Sequence, residues 1–402
     1  MFIRLRTALL AGTLISIGAP AAAEPISLGE ALSQGRAASP RITRAEAEVK
    51  AAEGRALQAG VSPNPELGLE VENFSGTGPY RNFRQTETTL AVSQEFELGG
   101  KRRARKAVAA AELDFFRLAL VRQVAVLDYD IRIAHADLAA SEARGALARE
   151  TLDRARELSR VAKELVDAGR DPPLRQLRAD ALLAEAEAEL ARAAGEYVSA
   201  RRKLALLIGS SDPELTAAPG NDEQPPPLPA DTPSLDERLA TAEREAAQAR
   251  VSLAQAEAVP NVTASGGFRR FREGGETAIV AGISIPLPFR NRNQGNIAAA
   301  RAETDAASAV LAQTRLEANF NRRDAELMVS AANERVAALS GPGLAQAEEA
   351  ARLANIGYRA GKFALIELID AQEALNSARR NLIEAQLDRA RALAALARAN
   401  AQ

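Results

Sequence analysis

The chain carries one plan twice, and that duplication limits its fold more than any single motif. Ser62-Pro63-Asn64-Pro65 opens the first copy. Two runs of alternating character follow, Glu66 to Phe74 and Thr86 to Phe96, joined by a loop from Ser75 to Arg84 that holds Gly, Pro and Asn. Leu98-Gly99-Gly100 then gives way to Lys101-Arg102-Arg103 and to Ala-rich sequence without Gly or Pro as far as Gly145. Val259-Pro260-Asn261 opens the second copy. Its alternating runs are Val262 to Arg272 and Thr277 to Ile285, its turn is Glu273-Gly274-Gly275-Glu276, and Phe289-Arg290-Asn291-Arg292 leads into another Ala-rich stretch. Ser93 corresponds to Ser284 and Ala111-Glu112 to Ala302-Glu303, both at an offset of 191 (284 − 93, 303 − 112).

Strand side chains alternate with period two. That places Leu67, Leu69 and Val71 on one face of the first run, and Glu70 and Glu72 on the other. In the second run Leu90, Val92 and Phe96 oppose Glu87, Ser93 and Glu95; in the fourth Ile279, Ile283 and Ile285 oppose Ala278, Gly282 and Ser284. Apolar-out, polar-in segments of about 9–11 residues suit a bilayer-crossing barrel, and a half-buried soluble sheet alternates in the same way. Four strands cannot close a membrane barrel, which needs about eight, and an open edge in lipid leaves backbone groups unpaired. Either this is a small soluble sheet or several copies pool their strands.

Residues 1–23 read as a secretory leader, with Arg4 and Arg6, an apolar run from Thr7 to Ile17, and Ala21-Ala22-Ala23 before Glu24. No later segment is long and apolar enough for a transmembrane helix, so any crossing must use strands. There is no Cys, hence no disulfide, thiolate metal site or lipidated N-terminal Cys. A net charge of −2 argues against a nucleic-acid partner. The absence of Trp and the abundance of Ala, Glu, Arg and Leu favour long helices packed side by side over one large core.

A short helix from Ser27 and a second from Pro40 to about Gln58 precede the first strand. After the strand pair comes a helical hairpin over about 102–208. Its first arm, Arg102 to Ala168, would be about 100 Å long. Leu113, Phe116, Leu120, Val124, Leu127, Ile131, Ala134 and Leu138 recur there at spacings of three and four, a coiled-coil seam. Gly169-Arg170-Asp171-Pro172-Pro173 forces the reversal. A Pro-rich linker at 210–233 separates this first repeat, 24–209, from the second, 234–402. The second hairpin spans about 295–399, with a kink or break expected at Gly341-Pro342-Gly343 and the reversal at Ala360-Gly361-Lys362.

Ser62-Pro63-Asn64-Pro65-Glu66-Leu67, the junction Gln94-Glu95-Phe96-Glu97-Leu98-Gly99-Gly100-Lys101-Arg102, its counterpart Ile285-Pro286-Leu287-Pro288-Phe289, and Gly357-Tyr358-Arg359-Ala360-Gly361-Lys362 with Leu368-Ile369-Asp370-Ala371-Gln372 together resemble the TolC-type outer membrane efflux protein family. The wording is most like its heavy-metal (cobalt–zinc–cadmium resistance) branch. The resemblance covers the whole mature chain. It implies a mainly α fold with a small β part. It further implies a homotrimer whose twelve-stranded barrel lies in outer-membrane lipid and continues into a periplasmic helical barrel. The implied partners are a periplasmic adaptor and an inner-membrane pump of the RND type. A multidrug or type I secretion channel, a periplasmic adaptor and a coiled-coil scaffold are the alternatives, and the duplication counts against the last two.

No phosphate loop, His-Glu helix motif or Cys pair is present, and His135 has no second His within a turn. No catalytic, cofactor or metal site is expected, and the chain reads as a passive duct. The resemblance places adaptor contacts at the two turns, Asp167, Gly169 and Arg170 with Ala360, Gly361 and Lys362, although both glycines also fit plain helix termination. It places a periplasmic gate at Glu367 and Asp370. The same offsets after Gly169 fall on Arg175 and Arg178, which points to a carboxylate–guanidinium latch between the return helices or to four solvated charges. Glu70 and Glu72 are the expected lumen-facing strand residues.

Overall fold

The computed structural model describes residues 25–218, 229 and 232–401; the expected leader and half of the expected linker lie outside them. Two helices, α1 (Leu28–Ala38) and α2 (Pro40–Ala59), lead to strands β1 (Glu66–Glu72) and β2 (Glu87–Phe96), then to α3 (Lys101–Asp167) and α4 (Pro173–Ile208). The second half runs α5 (Leu235–Glu257), β3 (Val262–Phe271), β4 (Thr277–Ser284), α6 (Gln294–Ser340), α7 (Pro342–Arg359) and α8 (Leu365–Ala399). β1 ends at Glu72 rather than Phe74 because Asn73 turns the chain at φ 55°. The expected break in the second hairpin falls at Gly341, between α6 and α7.

The four strands form one antiparallel sheet in the order β1-β2-β3-β4. β2 and β3 join the two halves, with Leu90 opposite Phe268 and Ser93 opposite Ser265. Within this chain β1 and β4 are therefore open edges. The strand–helix junctions lock the halves together as well. Asn261 donates to Glu95 and accepts from Lys101, and a side chain at Gly99 would collide with Val259.

α3 is the spine, packing against α1, α2, α4, α5 and α8. Leu127, Ile131, Ala134 and Leu138 of the expected seam are buried with Leu204 and Ile208 of α4. Further along, small residues (Gly145, Ala148, Ala155 and Ala162) alternate with Leu152 and Leu158 in the buried seam. The facing residues on α4 are Ala179, Ala186 and Ala193, seven apart, the heptad repeat of a coiled coil built on small residues. Asp137 of α3 bonds Lys203 of α4 (3.2 Å) and Arg391 of α8 (2.8 Å), tying both return helices to the spine.

At the wider part of the helical body Ile26 pairs with Ala217. Buried His135 donates from Nε2 to the Ile26 carbonyl (3.0 Å), and the Ala217 amide donates to Glu142 (3.0 Å). Burial raises the Glu142 pKa, partly opposed by that amide bond. A carboxyl with a raised folded-state pKa destabilises the fold above that pKa, and the penalty disappears below the unfolded-state value. Glu142→Gln keeps an oxygen for the Ala217 amide and removes the charge. The variant is expected to melt higher than the parent at pH 7.5 and with it at pH 4. A thermal melt at the two pH values checks this.

Candidate conduit: strand face and helical tips

The register sorts the sheet into two faces. Leu67, Leu69, Leu90, Val92, Phe268, Ile279 and Ile283 share one, and all are exposed, Ile279 by 80% and Leu69 by 68%. The other face carries the row Gly68–Ala91–Gly267. A Cβ on Gly267 would lie 2.2 Å from the Leu90 carbonyl oxygen, so this face must curve inward over small residues. Glu70 lies opposite Thr89, which lies opposite Arg269, and Glu72 lies opposite Glu87, all on the inward face. Arg269 bonds Glu72 (2.9 Å), Glu87 (3.0 Å) and the Thr89 hydroxyl (2.9 Å). Glu70 joins no ion pair among the described residues. The third run's sequence leaves its faces unassigned and does not single out Arg269; the pairing across strands shows that it meets the carboxylates.

At the opposite end the two hairpin turns are built alike. Gly169 and Gly361 both have φ 70° with open space around them, so glycine is needed there for conformation rather than for room. The Arg170 amide donates to the Leu165 carbonyl and the Gly169 amide to Val166, and Lys362 and Gly361 repeat this toward Gly357 and Tyr358. This is the Schellman helix end. The tips therefore expose Arg170, Ala360, Gly361 and Lys362, with Asp167 in the last turn of α3.

The four gate residues do not meet within one chain. Arg175 pairs with Asp171, whose side chain is nearly buried, and the Glu367 carboxylate accepts from the Ala364 amide (2.8 Å) at the start of α8. Arg178 and Asp370 form no ion pair among the described residues. What the sequence did not show is Tyr358. It is buried against Leu158, Ala162, Ala179 and Leu368, which brings α3, α4, α7 and α8 together. Burial raises its pKa, the Asp171 charge raises it further, and Arg175 opposes them. Its hydroxyl and Asp171 Oδ2 are both buried without a hydrogen-bond partner. The first hairpin thus meets the second half through the apolar cluster around Tyr358, with the Asp171 and Arg175 charges acting on its hydroxyl.

A family model described as outer membrane efflux protein matches residues 31–210 and 233–402. The chain belongs to the outer membrane efflux protein family. It is 32% identical over 375 residues to the cobalt-zinc-cadmium resistance protein CzcC of Cupriavidus metallidurans, covering 89% of this chain and 86% of that protein. It is 35% identical over 327 residues to the nickel-cobalt-cadmium resistance protein NccC of Alcaligenes xylosoxydans xylosoxydans, covering 80% and 74%. The solved outer membrane protein VceC of Vibrio cholerae superposes with a TM-score of 0.75 at 25% identity, covering 92% of this chain and 95% of that one. The fold is TolC-like, and the protein is an outer-membrane channel component of an efflux system. Its exposed apolar strand face is the one that lipid must cover.

Arginine in place of Leu69, Leu90 or Ile283 is expected to cost about 2–4 kcal/mol near the bilayer midplane, read as a lower folded yield and a lower urea midpoint in bilayers. Glu70→Arg, on the inward face, should fold normally and shift the cation/anion permeability ratio toward anions.

Proposed function

We propose that three copies of this chain form a passive duct for heavy-metal cations. Four strands per copy make a twelve-stranded barrel, and the helices continue it into the periplasm. The observation that carries the cargo assignment is similarity over most of the chain to two metal-resistance proteins, CzcC and NccC. The inward strand face supports it, since Glu70, Glu72 and Glu87 outnumber the single Arg269. Lining carboxylates lower the barrier for cations without holding them, and export direction comes from an inner-membrane pump, here of the RND type.

The exposed turns are the surface proposed for the periplasmic adaptor, through Asp167, Gly169 and Arg170 with Ala360, Gly361 and Lys362. The gate proposal sets Glu367 and Asp370 against Arg175 and Arg178 around the narrow end. Because Arg175 already holds Asp171, any latch to the carboxylates forms between neighbouring copies in the assembled channel. Exposed ion pairs are worth about 0–1 kcal/mol each, and threefold repetition adds them into a bias between closed and open states.

Deletion of the gene is expected to sensitise cells to cobalt, zinc or cadmium without changing sensitivity to hydrophobic drugs; drug sensitivity alone would overturn the cargo assignment. In planar bilayers Arg175→Glu with Arg178→Glu should raise basal conductance. Adding Glu367→Arg and Asp370→Arg should lower it again. An unchanged conductance in the double variant would sink the latch. The variant Lys362→Cys should form a disulfide with a cysteine-bearing adaptor, and a folded trimer that never crosslinks there would remove the tip from the interface.

A further inference from the structure

We propose that the two strand-to-helix junctions form a collar that binds the phosphate headgroups of anionic phospholipids in the periplasmic leaflet. The lipid-facing rows of the sheet end at Phe96 on β2 and Ile285 just past β4. Beyond them the chain does not turn polar at once. Leu98, Leu287 and Phe289 stay exposed, Phe289 by 78%. Five exposed cations follow within a few residues: Arg102, Arg103 and Lys106 on the first turns of α3, and Arg290 and Arg292 before α6. None of the five is ion-paired to a carboxylate among the described residues. The carboxylates close in sequence are already engaged, Glu97 by Arg105 and Glu95 by Asn261.

Spacing brings the charges together. Lys106 lies three and four residues after Arg103 and Arg102, so the three share one side of α3. They sit about 6 Å apart at most along the axis. Exposed apolar residues that follow the lipid-facing rows, ending in cations with no carboxylate partner (Arg102 donates to the Ser62 hydroxyl and Arg292 to the Pro288 carbonyl), match the boundary where acyl chains give way to phosphates. Each Lys or Arg near such a surface favours anionic over zwitterionic lipid by severalfold. The helix starts are consistent with the collar without carrying it. α1 and α5 begin with a serine cap and acidic residues, whereas α3 and α6 have no side-chain cap and no acid in the first turn. Their partly positive ends face the same level. The collar would fix how deep the barrel sits and hence how far the tips reach toward the adaptor.

The chain has no Trp, so Phe96→Trp supplies a single reporter on an inner strand that no neighbouring copy covers, and Phe289→Trp a second near the sheet edge. The full-length protein is reconstituted in mixed phosphatidylglycerol–phosphatidylcholine vesicles in which only one of the two lipids carries bromine near the head of its acyl chain. At equal mole fraction, brominated phosphatidylglycerol should quench the indole of the Phe96→Trp variant with a relative binding constant roughly three or more times that of phosphatidylcholine. The preference should shrink in 0.5 M NaCl, because screening shortens to ~3–5 Å at high salt. It should fall to about one when Arg102→Gln, Arg103→Gln, Lys106→Gln, Arg290→Gln and Arg292→Gln are combined. If that variant does not assemble, the α3 triple and the Arg290/Arg292 double are tested separately, each expected to lose part of the preference. Equal quenching by the two lipids, or a preference that survives in folded variants, overturns the collar.

Discussion

Unpaired backbone at the two edges of the sheet is the constraint on which the rest depends. In lipid an exposed N–H or C=O finds no water, and each such group costs several kcal/mol. β1 and β4 leave their outer edges open, so this chain cannot cross the membrane alone. In the proposed assembly other copies supply the missing partners, and the sheet suits that. Its inward face is reduced to Gly68, Ala91 and Gly267 where curvature is tightest, and its outward face is apolar from Leu67 to Ile283. Curvature, alternation and open edges are three results of one requirement.

The helical part solves a different problem. It stands in water, so its backbone is satisfied within each helix, and the task is to hold long helices together without a large core. Small seam residues do this by letting axes approach closely along much of α3 and α4. Ion pairs then add lateral order. Arg379 of α8 bonds Glu150 of α3 (2.6 Å) and Glu348 of α7 (2.9 Å), and Arg144 of α3 bonds Glu384 of α8 (2.6 Å). Most of these side chains are partly exposed, so each pair contributes little alone. Their value lies in setting register between helices whose Ala-rich faces would otherwise slide.

What the sequence disclosed was everything carried by a period. Two-residue alternation gave the four strands and the faces of three of them, and duplication gave their order. Three-and-four spacing gave a seam from Leu113 to Leu138, of which Leu127, Ile131, Ala134 and Leu138 are fully buried and Leu113 and Phe116 only partly. Gly169 and Gly361 were legible because a reversal between long helices needs a left-handed residue. Arg269 was missed: the third run alternates too weakly around Gly266-Gly267 for its faces to be assigned, and the meeting with Glu72 and Glu87 depends on pairing between strands from opposite halves of the chain. Tyr358 was not legible at all. Beside Gly357 it reads as an ordinary helix residue, and only packing shows that it joins the second half to α3 and α4. The carboxylates expected at the gate illustrate the same limit, since Glu367 serves as a cap for its own helix.

The halves also differ in a way that duplication conceals. α3 runs unbroken for 67 residues, whereas its counterpart is cut at Gly341 into α6 and α7. An interrupted helix loses the continuous hydrogen-bond ladder that resists bending, so the second hairpin is the more compliant of the two. Its tip is held to the stiff first half by the shared cluster around Tyr358 and by the Glu150–Arg379–Glu348 bridge. The mechanical asymmetry therefore lies inside each copy. A rigid arm built on α3 carries the turn at Gly169, and a jointed arm carries the turn at Gly361, with a small polar–aromatic contact between them. If the two tips move relative to each other while the spine stays intact, Gly341 is the joint at which the second arm can bend.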